Sequence, residues 1–423
     1  MTKSNQEPWQ VLGQFLQFPD AEHELWWHRI APIIGRALIR TGCSVESQFR
    51  HLLLIQCTVL PFLGHYPAEK GRNITWRSCI AGDEGGGGPM DVSVNYQQNC
   101  KSTVRMNLEP IGSHAGMHDD PMNQVAPREM LSRLAKFQSG IDLTWYDQLE
   151  NDMILKNQDM LPLYKDVLSQ FDNKTQTLFG LDLGEGSVTV KAYFFPLLRA
   201  SATRADWISI MFESMRNLSG MEEGIICELG IIEEYTRSIS HKLLPEHSEV
   251  GFDCKSPAQS RIKIYAAMKV SSLQDLYDFH TLGGHLKGPS IEQGFEILSK
   301  LWHMVYPKLL PHGKSREFLQ VHCNWELSLK NPTPVPKTYF LVADELDTHI
   351  SSAVISLFRD LGWHQHAENH EALERESYPT YDPKTSTGIY TWLAFAYSES
   401  SGPYITVYLK PPAPTPAGDN MLL

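Results

Sequence analysis

The stretch RIKIY, residues 261–265, decides the fold because two apolar residues alternate in it with two cations and a phenol. On a pleated strand Ile262 and Ile264 point to one side, and Arg261, Lys263 and Tyr265 point to the other. The polar side of most strands faces water. One stretch alone leaves open whether its polar face is an outer surface or lines an interior site.

The same alternation of apolar with cationic, tyrosine or other polar residues recurs along the chain. It is present in DVSVNY (91–96), TVRMNL (103–108), VKAYFF (190–195), PKTYFL (336–341) and YITVYL (404–409). Most of these segments have a strand-like neighbour across a turn-rich connection, as in TLFGLDL-GEGS-VTVKAYFF, which predicts hairpins. Five hairpins, and therefore ten strands, are predicted at intervals of 67 to 86 residues.

Amphipathic helical patterns lie between the hairpins. Residues 291–302 and 350–361 carry apolar side chains at the 3.6-residue period of a helix with one buried face. If each hairpin packs its apolar face against such helices, the polar faces point to the other side of the sheet, and ten strands can close around a cavity. The predicted fold class is therefore α+β, with ten antiparallel strands around a central solvent-filled cavity, ringed by α-helices.

Composition limits the kind of protein. The chain has 423 residues and a net charge of -12, which disfavours a nucleic acid or an anionic membrane as partner. The N-terminal segment does not show a signal-peptide pattern, and no run of 18 apolar residues occurs, so we expect a soluble, cytoplasmic protein. Seven cysteines without a CxxC pair favour reduced thiols over disulfides or zinc. We expect one domain, 1–423, with short flexible ends at about 1–7 and 412–423.

The predicted inward faces concentrate positive charge at Arg105, Lys191, Arg261 and Lys263. A buried charge without a partner costs several kcal/mol, so these cations imply an anion of high charge density, for which a diphosphate is suited. The interleaved tyrosines supply hydroxyl donors, and each ring face attracts a carbocation by about 0.5–2 kcal/mol. Such a site suits the ionisation of an allylic diphosphate away from water.

Longer motifs then show a family resemblance. PWQVL, ELWWH, PMDVSVNY, TVRMNLEPIG with AGMHDDPMN, VKAYFFP, RIKIY, PKTYF and WLAFAYSESSGPYITVY follow one another from about residue 8 to 410. Together they resemble the fungal aromatic prenyltransferases of the dimethylallyltryptophan synthase type. The resemblance implies the ABBA fold and transfer of a dimethylallyl group from dimethylallyl diphosphate to an aromatic carbon, usually of an indole. It also implies that no metal and no cofactor are required.

Carried over position by position, the resemblance implies roles for individual residues. The catalytic residues correspond to Asp91 and Lys191, and the contacts to the acceptor correspond to Ile80 and Asp91. The diphosphate-binding cations correspond to Arg105, Lys191, Arg261, Lys263 and Lys337, of which Lys337 either adds a fifth charge or projects into solvent at the rim. The tyrosines that bind diphosphate or shield the carbocation correspond to Tyr193, Tyr265, Tyr339, Tyr404 and Tyr408.

Three positions depart from the family pattern. Phe195 stands where the family often has a tyrosine, and Lys337 stands where it often has a glutamine. Asp91 replaces the family's glutamate, which accepts a hydrogen bond from the indole N–H. Aspartate is shorter by one methylene, about 1.5 Å of reach. The acceptor must therefore sit differently, be bridged by water, or present another donor such as a phenol.

Two signals suggest metal binding only weakly. DDPMN (119–123) resembles an incomplete aspartate-rich magnesium motif and is predicted to be a loop. His364, His366 and His370 are interpreted as a solvated helix end, because no further ligand accompanies them. Glycine-rich GDEGGGGPM (82–90) lacks the GK[ST] of a P-loop and is predicted to be a flexible loop at the mouth of the barrel. No metal site is expected.

The sequence thus predicts an aromatic prenyltransferase of fungal secondary metabolism whose acceptor is an indole alkaloid or an indole diterpene. Its partners are dimethylallyl diphosphate and the aromatic acceptor, and the protein is a monomer or homodimer. Two alternatives remain open. One is a prenyltransferase for a non-indole phenolic or polycyclic acceptor, and the other is a non-catalytic barrel that binds an isoprenoid diphosphate.

Overall fold

The computed structural model describes residues 6–67, 74–80, 88–98, 100–159, 167–306, 318–382 and 384–413. Its strands are β1 Met90–Gln97, β2 Thr103–Leu108, β3 Thr177–Gly184, β4 Ser187–Phe194, β5 Glu249–Asp253, β6 Arg261–Val270, β7 Leu319–Ser328, β8 Asn331–Leu341, β9 Tyr390–Ser398 and β10 Gly402–Leu409. Its α-helices are α1 Pro8–Phe15, α2 Ala21–Arg40, α3 Val45–Thr58, α4 Val125–Phe137, α5 Thr144–Met153, α6 Leu197–Thr203, α7 Trp207–Arg216, α8 Glu223–Ser238, α9 Leu273–His280, α10 Pro289–Val305, α11 Asp347–Asp360 and α12 His364–Ser377.

The ten strands form one closed antiparallel barrel in the order β1-β10-β9-β8-β7-β6-β5-β4-β3-β2. All five predicted hairpins are present, as the pairs β1–β2, β3–β4, β5–β6, β7–β8 and β9–β10. The two helical patterns lie in α10 and α11. The prediction of ten antiparallel strands ringed by helices is therefore confirmed.

The period-two pattern separates an outer from an inner face on every strand. On β6, Ile262 and Ile264 are at most 1% exposed and belong to the main hydrophobic core between barrel and helices. Arg261, Lys263 and Tyr265 line the interior cavity instead. The polar face is the lining of the barrel because the apolar face has helices to pack against.

Helix α2 is part of the outer layer. Asp20 caps its N-terminus by accepting a hydrogen bond from the His23 backbone N–H. Trp26 and Trp27, on its inner side, are buried in the core. No helix in the described ranges is both long enough and apolar enough to cross a membrane.

The interpretation of the histidine-rich stretch as a solvated helix end holds for His364, which is exposed, and is wrong for His370. These residues begin α12, which packs towards the barrel, so that His370 is 1% exposed. His370 Nδ1 lies 3.1 Å from the Tyr96 hydroxyl, and its Nε2 lies 3.0 Å from the Tyr390 hydroxyl. His366 Nε2 lies 3.1 Å from the Gln97 carbonyl oxygen. The helix needs this polar face because it covers the phenols on the outer sides of β1 and β9.

The stretch 119–123 is a loop, as predicted, and its buried carboxylate has a structural role. Asp120 Oδ1 accepts hydrogen bonds from the Gln124 backbone N–H at 2.7 Å and from Asn157 Nδ2 at 2.9 Å. It thereby fixes the turn that leads into α4. Residues 82–87 of the glycine-rich stretch, and most of the predicted flexible ends, lie outside the described residues.

Candidate active site

Inward-facing side chains form layers along the barrel axis. On four even-numbered strands a cation is followed two residues later by the next inward side chain: Arg105 and Asn107, Lys191 and Tyr193, Lys263 and Tyr265, Lys337 and Tyr339. On β10 the same two positions hold Thr406 and Tyr408. Since strand residues two apart share a face, these four cations form one layer, and Asn107 with Tyr193, Tyr265, Tyr339 and Tyr408 forms the next. Arg261 and Tyr404, two residues before Lys263 and Thr406, lie on the other side of the cation layer.

Asp182 on β3 joins two of the cations. Its Oδ2 lies 2.6 Å from Lys191 Nζ, and its Oδ1 lies 3.1 Å from Arg105 Nε. Burial opposes ionisation of Asp182, but the charges of Arg105 and Lys191 hold its pKa below the ordinary value. Arg105 also donates a hydrogen bond to the Tyr404 hydroxyl. This carboxylate therefore fixes the positions of two cationic side chains, Arg105 and Lys191, that would otherwise repel one another.

The remaining pair of cations on β6 has its own counter-charges. Arg261 donates to Asp253 through Nε at 2.7 Å and Nη2 at 3.1 Å, and its Nη1 lies 3.2 Å from Glu326 Oε1. Lys263 Nζ lies 4.0 Å from Asp253 and 3.8 Å from Glu326. Burial and the charge of Arg261 lower the pKa of Lys263. Its ammonium is thus close to both carboxylates and in hydrogen-bond contact with neither.

Lys337 lies inside the cavity, so the alternative that it projects into solvent at the rim is wrong. Its Nζ lies 3.1 Å from Thr406 Oγ1, and 4.7 Å and 5.2 Å from the ring centres of Tyr404 and Tyr339. Among the described residues no carboxylate lies within ion-pair distance of it. Burial and the nearby cations lower the pKa of Lys337 well below its ordinary value.

The tyrosine layer forms a cluster of rings beside the cations. The ring centroid of Tyr265 lies 5.8 Å from that of Tyr193 and 5.9 Å from that of Tyr339. The ring centroids of Tyr408 and Tyr339 are 6.3 Å apart. Asn324 Nδ2 donates to the Tyr339 hydroxyl at 2.9 Å. Glycine is needed at 251, because a Cβ there would approach Tyr193 to 2.8 Å.

These two layers enclose a cavity of about 250 Å³. The ten residues predicted to bind diphosphate or shield the carbocation all line it: Arg105, Lys191, Arg261, Lys263, Lys337, Tyr193, Tyr265, Tyr339, Tyr404 and Tyr408. Phe195 lies one residue beyond β4 and is not among the lining residues.

Asp91 lies at the edge of this cavity and is linked to it by Asn107. It is 8% exposed, and its Oδ1 accepts a hydrogen bond from Asn107 Nδ2 at 3.0 Å. Burial raises the pKa of Asp91 to about 7. The carboxylate is therefore a hydrogen-bond acceptor with an unusually high proton affinity, on the far side of the tyrosine layer from the cations.

Ile80 lies at the same end of the barrel, after a segment held by a buried carboxylate. Glu109, 1% exposed, accepts hydrogen bonds from Trp76 Nε1 at 2.7 Å and Thr175 Oγ1 at 2.6 Å. Thr175 Oγ1 in turn accepts from the Cys79 backbone N–H at 3.0 Å. Glu109 thereby positions the segment that leads into Ile80.

Sequence reasoning missed the polar partners of the predicted residues. They are the carboxylates Asp182, Asp253 and Glu326 and the amides Asn107 and Asn324. Each lies in a predicted strand on the inward face, so the period-two rule contained the signal. Their register with the cations, such as Lys191 opposite Asp253, was needed to recognise them as partners. In the described ranges, no group of three His, Cys, Asp or Glu side chains is arranged to hold a metal ion.

The family profile described as tryptophan dimethylallyltransferase matches residues 22–372. This chain belongs to that family. The resemblance seen in the sequence is thereby confirmed, and it extends over nearly the whole chain.

Individual members of the tryptophan dimethylallyltransferase family align over almost their full length. Tryptophan dimethylallyltransferase 1 of Claviceps purpurea (strain 20.1) is 31% identical over 95% of this chain and 91% of its own. Echinulin prenyltransferase 1 of Aspergillus ruber is 30% identical over 95% of this chain and 96% of its own.

Crystal structures of similar proteins agree with the barrel. AnaPT from Neosartorya fischeri superposes with a TM-score of 0.86 at 29% identity, covering 98% of this chain and all of that one. NotF, crystallised with brevianamide F and DMSPP, superposes with a TM-score of 0.83 at 26% identity, covering 96% of this chain and 99% of that one.

Proposed function

We propose that this protein transfers a dimethylallyl group from dimethylallyl diphosphate to an aromatic ring carbon of an indole-containing acceptor. The observation that carries the proposal is the layering of the barrel. Five cations surround one end of the cavity, tyrosine rings follow, and Asp91 lies beyond them. The names of the relatives, which include tryptophan and echinulin prenyltransferases, support the indole class of acceptor.

The layers suit the successive steps of such a transfer. Breaking the C–O bond of the donor leaves the electron pair on the diphosphate and creates an allyl cation. The diphosphate gains one negative charge in this step, so Arg105, Lys191, Arg261, Lys263 and Lys337 bind it more strongly in the transition state than in the ground state. The faces of Tyr193, Tyr265, Tyr339 and Tyr408 stabilise the cation.

Asp91 acts on the acceptor. A carboxylate that accepts a hydrogen bond from the ring N–H increases electron density on the aromatic ring, which then attacks the allyl cation to form the new C–C bond. Loss of a proton from the attacked carbon restores aromaticity. The raised pKa of Asp91 makes its carboxylate a stronger hydrogen-bond acceptor.

The charge balance of the cavity supports catalysis without a metal or cofactor. A divalent metal neutralises diphosphate in many enzymes. Here Arg105, Lys191, Arg261 and Lys263 line the cavity and supply positive charge, and Lys337 adds to it once a bound anion has raised its pKa. Cytoplasmic location and a monomeric or homodimeric state are further proposals, which follow from the expectations for the sequence.

The test is product analysis by mass spectrometry. Purified protein is incubated with dimethylallyl diphosphate and a panel of indoles and phenols, each with and without EDTA. The proposal expects an indole that gains one dimethylallyl unit equally in both conditions. Prenylation of phenols alone would replace the indole acceptor, activity lost with EDTA would refute metal independence, and tight diphosphate binding without any product would favour a non-catalytic barrel.

A further inference from the structure

Glu249 is an inward-facing carboxyl that the proposed reaction does not use. Its strand neighbours Val250 and Phe252 are at most 1% exposed and belong to the outer core. The alternate residues face the interior, since Asp253 pairs with Arg261 and a Cβ at Gly251 would touch tyrosine rings. Glu249 therefore points into the barrel as well.

Its depth in the barrel follows from the inward positions of the odd-numbered strands. The first position on β3, β5 and β7 is an acid beside the cations: Asp182, Asp253 and Glu326. The third inward position on each strand lies four residues before this acid, and it is occupied by Leu178 on β3, Glu249 on β5 and His322 on β7. The equivalent residues on β1 and β9 are Asp91 and Trp392. His322 and Trp392 have ring centroids 4.4 Å apart, as members of one layer should.

Glu249 and Asp91 consequently share the layer beyond the tyrosines. Their strands β5 and β1 are separated by three strands on one side of the closed barrel and five on the other, so they lie on opposing walls. An acceptor whose ring N–H reaches Asp91 would therefore have Glu249 on the wall that faces it. The layer contains no lysine or arginine, and burial lowers the pKa of its histidine, His322, well below the ordinary value.

The surroundings of Glu249 leave its carboxyl without a partner among the described residues. The Glu249 side chain is partly exposed, and the surface that remains exposed faces the interior of the barrel. Burial raises its pKa to about 8. Glu249 pairs with Tyr265 of β6. The next cation after Tyr265 on that strand is Lys269, four residues further on, which is exposed and lies against the Phe318 ring. In its ionised form, which a nearby cation favours, a carboxyl in such a place attracts N–H donors and cations and repels carboxylates.

We infer that Glu249 binds the part of the acceptor remote from the reacting ring, and that it selects indoles presenting a protonated amine or an amide N–H there over indoles presenting a carboxylate. The inference rests on the proposed function and specifies its acceptor. Glu249 is a specificity-determining residue in this scheme and takes no part in bond making or breaking.

The experiment compares two probes that share one indole ring. Tryptamine carries an amine and no carboxylate, and indole-3-propionate carries a carboxylate and no amine. Equilibrium binding of each is measured calorimetrically at pH 8 with inorganic diphosphate present, and kcat/KM is measured with dimethylallyl diphosphate. The variant is Glu249→Gln, which keeps the shape of the side chain. The matched control is Glu246→Gln, an exposed glutamate three residues earlier.

We expect wild-type protein to prefer tryptamine, and Glu249→Gln to reduce that preference at least tenfold while the KM for dimethylallyl diphosphate stays unchanged. Glu246→Gln should behave as wild type. Equal affinity of the wild-type protein for both probes, or an unchanged preference in Glu249→Gln, overturns the inference. Failure of the proposed function looks different, because then no indole is prenylated although inorganic diphosphate and the amine still bind.

Discussion

Lys191 and Asp182 form an ion pair inside the barrel, with Nζ 2.6 Å from Oδ2. Burial lowers the pKa of Lys191 to about 7, and the charge of Asp182 limits this decrease. Asp182 therefore helps to keep the lysine charged before an anion arrives. The diphosphate site thus depends on acids as well as on cations.

Replacing Asp182 tests this dependence. In Asp182→Asn the pKa of Lys191 should fall further, because the attraction that opposes burial is gone. At pH 7.5 inorganic diphosphate should therefore bind more weakly to the variant, because a neutral amine at Lys191 attracts it less than an ammonium does. Calorimetric titration between pH 6 and 9 should show the affinity declining from a lower pH than in wild type. Identical pH profiles would contradict the role, and the exposed Asp172→Asn is the control.

Removing either cation of β6 should affect the donor. We expect Arg261→Ala and Lys263→Ala to raise the KM for dimethylallyl diphosphate and to lower kcat/KM by about 10²–10³-fold, as for other preorganised transition-state donors. Steady-state kinetics with a saturating acceptor give both constants. Lys269→Ala, an exposed lysine on the same strand, should leave them unchanged. Unaltered donor kinetics in both active-site variants would reject their role.

Asp91 should control turnover and leave donor binding intact. Asp91→Asn removes the carboxylate, and general-base or acceptor groups of this kind contribute about 10²–10⁴-fold. In wild type kcat/KM should rise as the pH increases through about 7, because the pKa of Asp91 is raised to about 7 and the ionised form is the acceptor. Asp91→Glu, which restores the longer side chain, should retain activity. Full activity of the asparagine variant would remove Asp91 from the mechanism.

Lys337 should take up a proton when diphosphate binds. Burial and the surrounding cations Arg105, Lys263 and Lys191 keep its pKa low in the empty cavity, and a bound anion should raise it. Titrating inorganic diphosphate at pH 8 in buffers of different ionisation enthalpy measures the protons taken up. Lys337→Gln should take up fewer protons than wild type. Equal uptake by the two proteins would show that Lys337 is already charged, or stays uncharged, in both states.

His370 should make the fold sensitive to acid. Burial lowers its pKa to about 4, whereas an unfolded histidine titrates near 6.5. Between these values the unfolded chain binds a proton that the folded chain does not, so stability falls as the pH decreases, by up to about 1.4 kcal/mol per pH unit. Denaturation of His370→Gln between pH 4 and 7 should show a weaker pH dependence than wild type. An unchanged slope would contradict the assignment.

The predictions of strands and helices from the sequence are confirmed where the spacing of apolar residues within one segment decides the structure. TVRMNL is strand β2 without any shift of its ends, and the helical pattern of residues 291–302 lies within α10. The histidines of α12 show where a local period is insufficient. HQHAENH looks hydrophilic, yet His370 is buried because two tyrosine hydroxyls on the barrel require a partner.

The sequence by itself determined the ten strands, the side of each strand that faces the interior, and the concentration of cations and tyrosines on that side. These features depend on the alternation of apolar and polar residues within a single segment, which can be read directly from the sequence. Only the tertiary structure decided the partners across strands. It placed Asp182 between Lys191 and Arg105, enclosed Lys337 instead of exposing it, and set Glu249 opposite Asp91. Such relationships depend on the register and closure of the barrel, which join residues far apart in the chain.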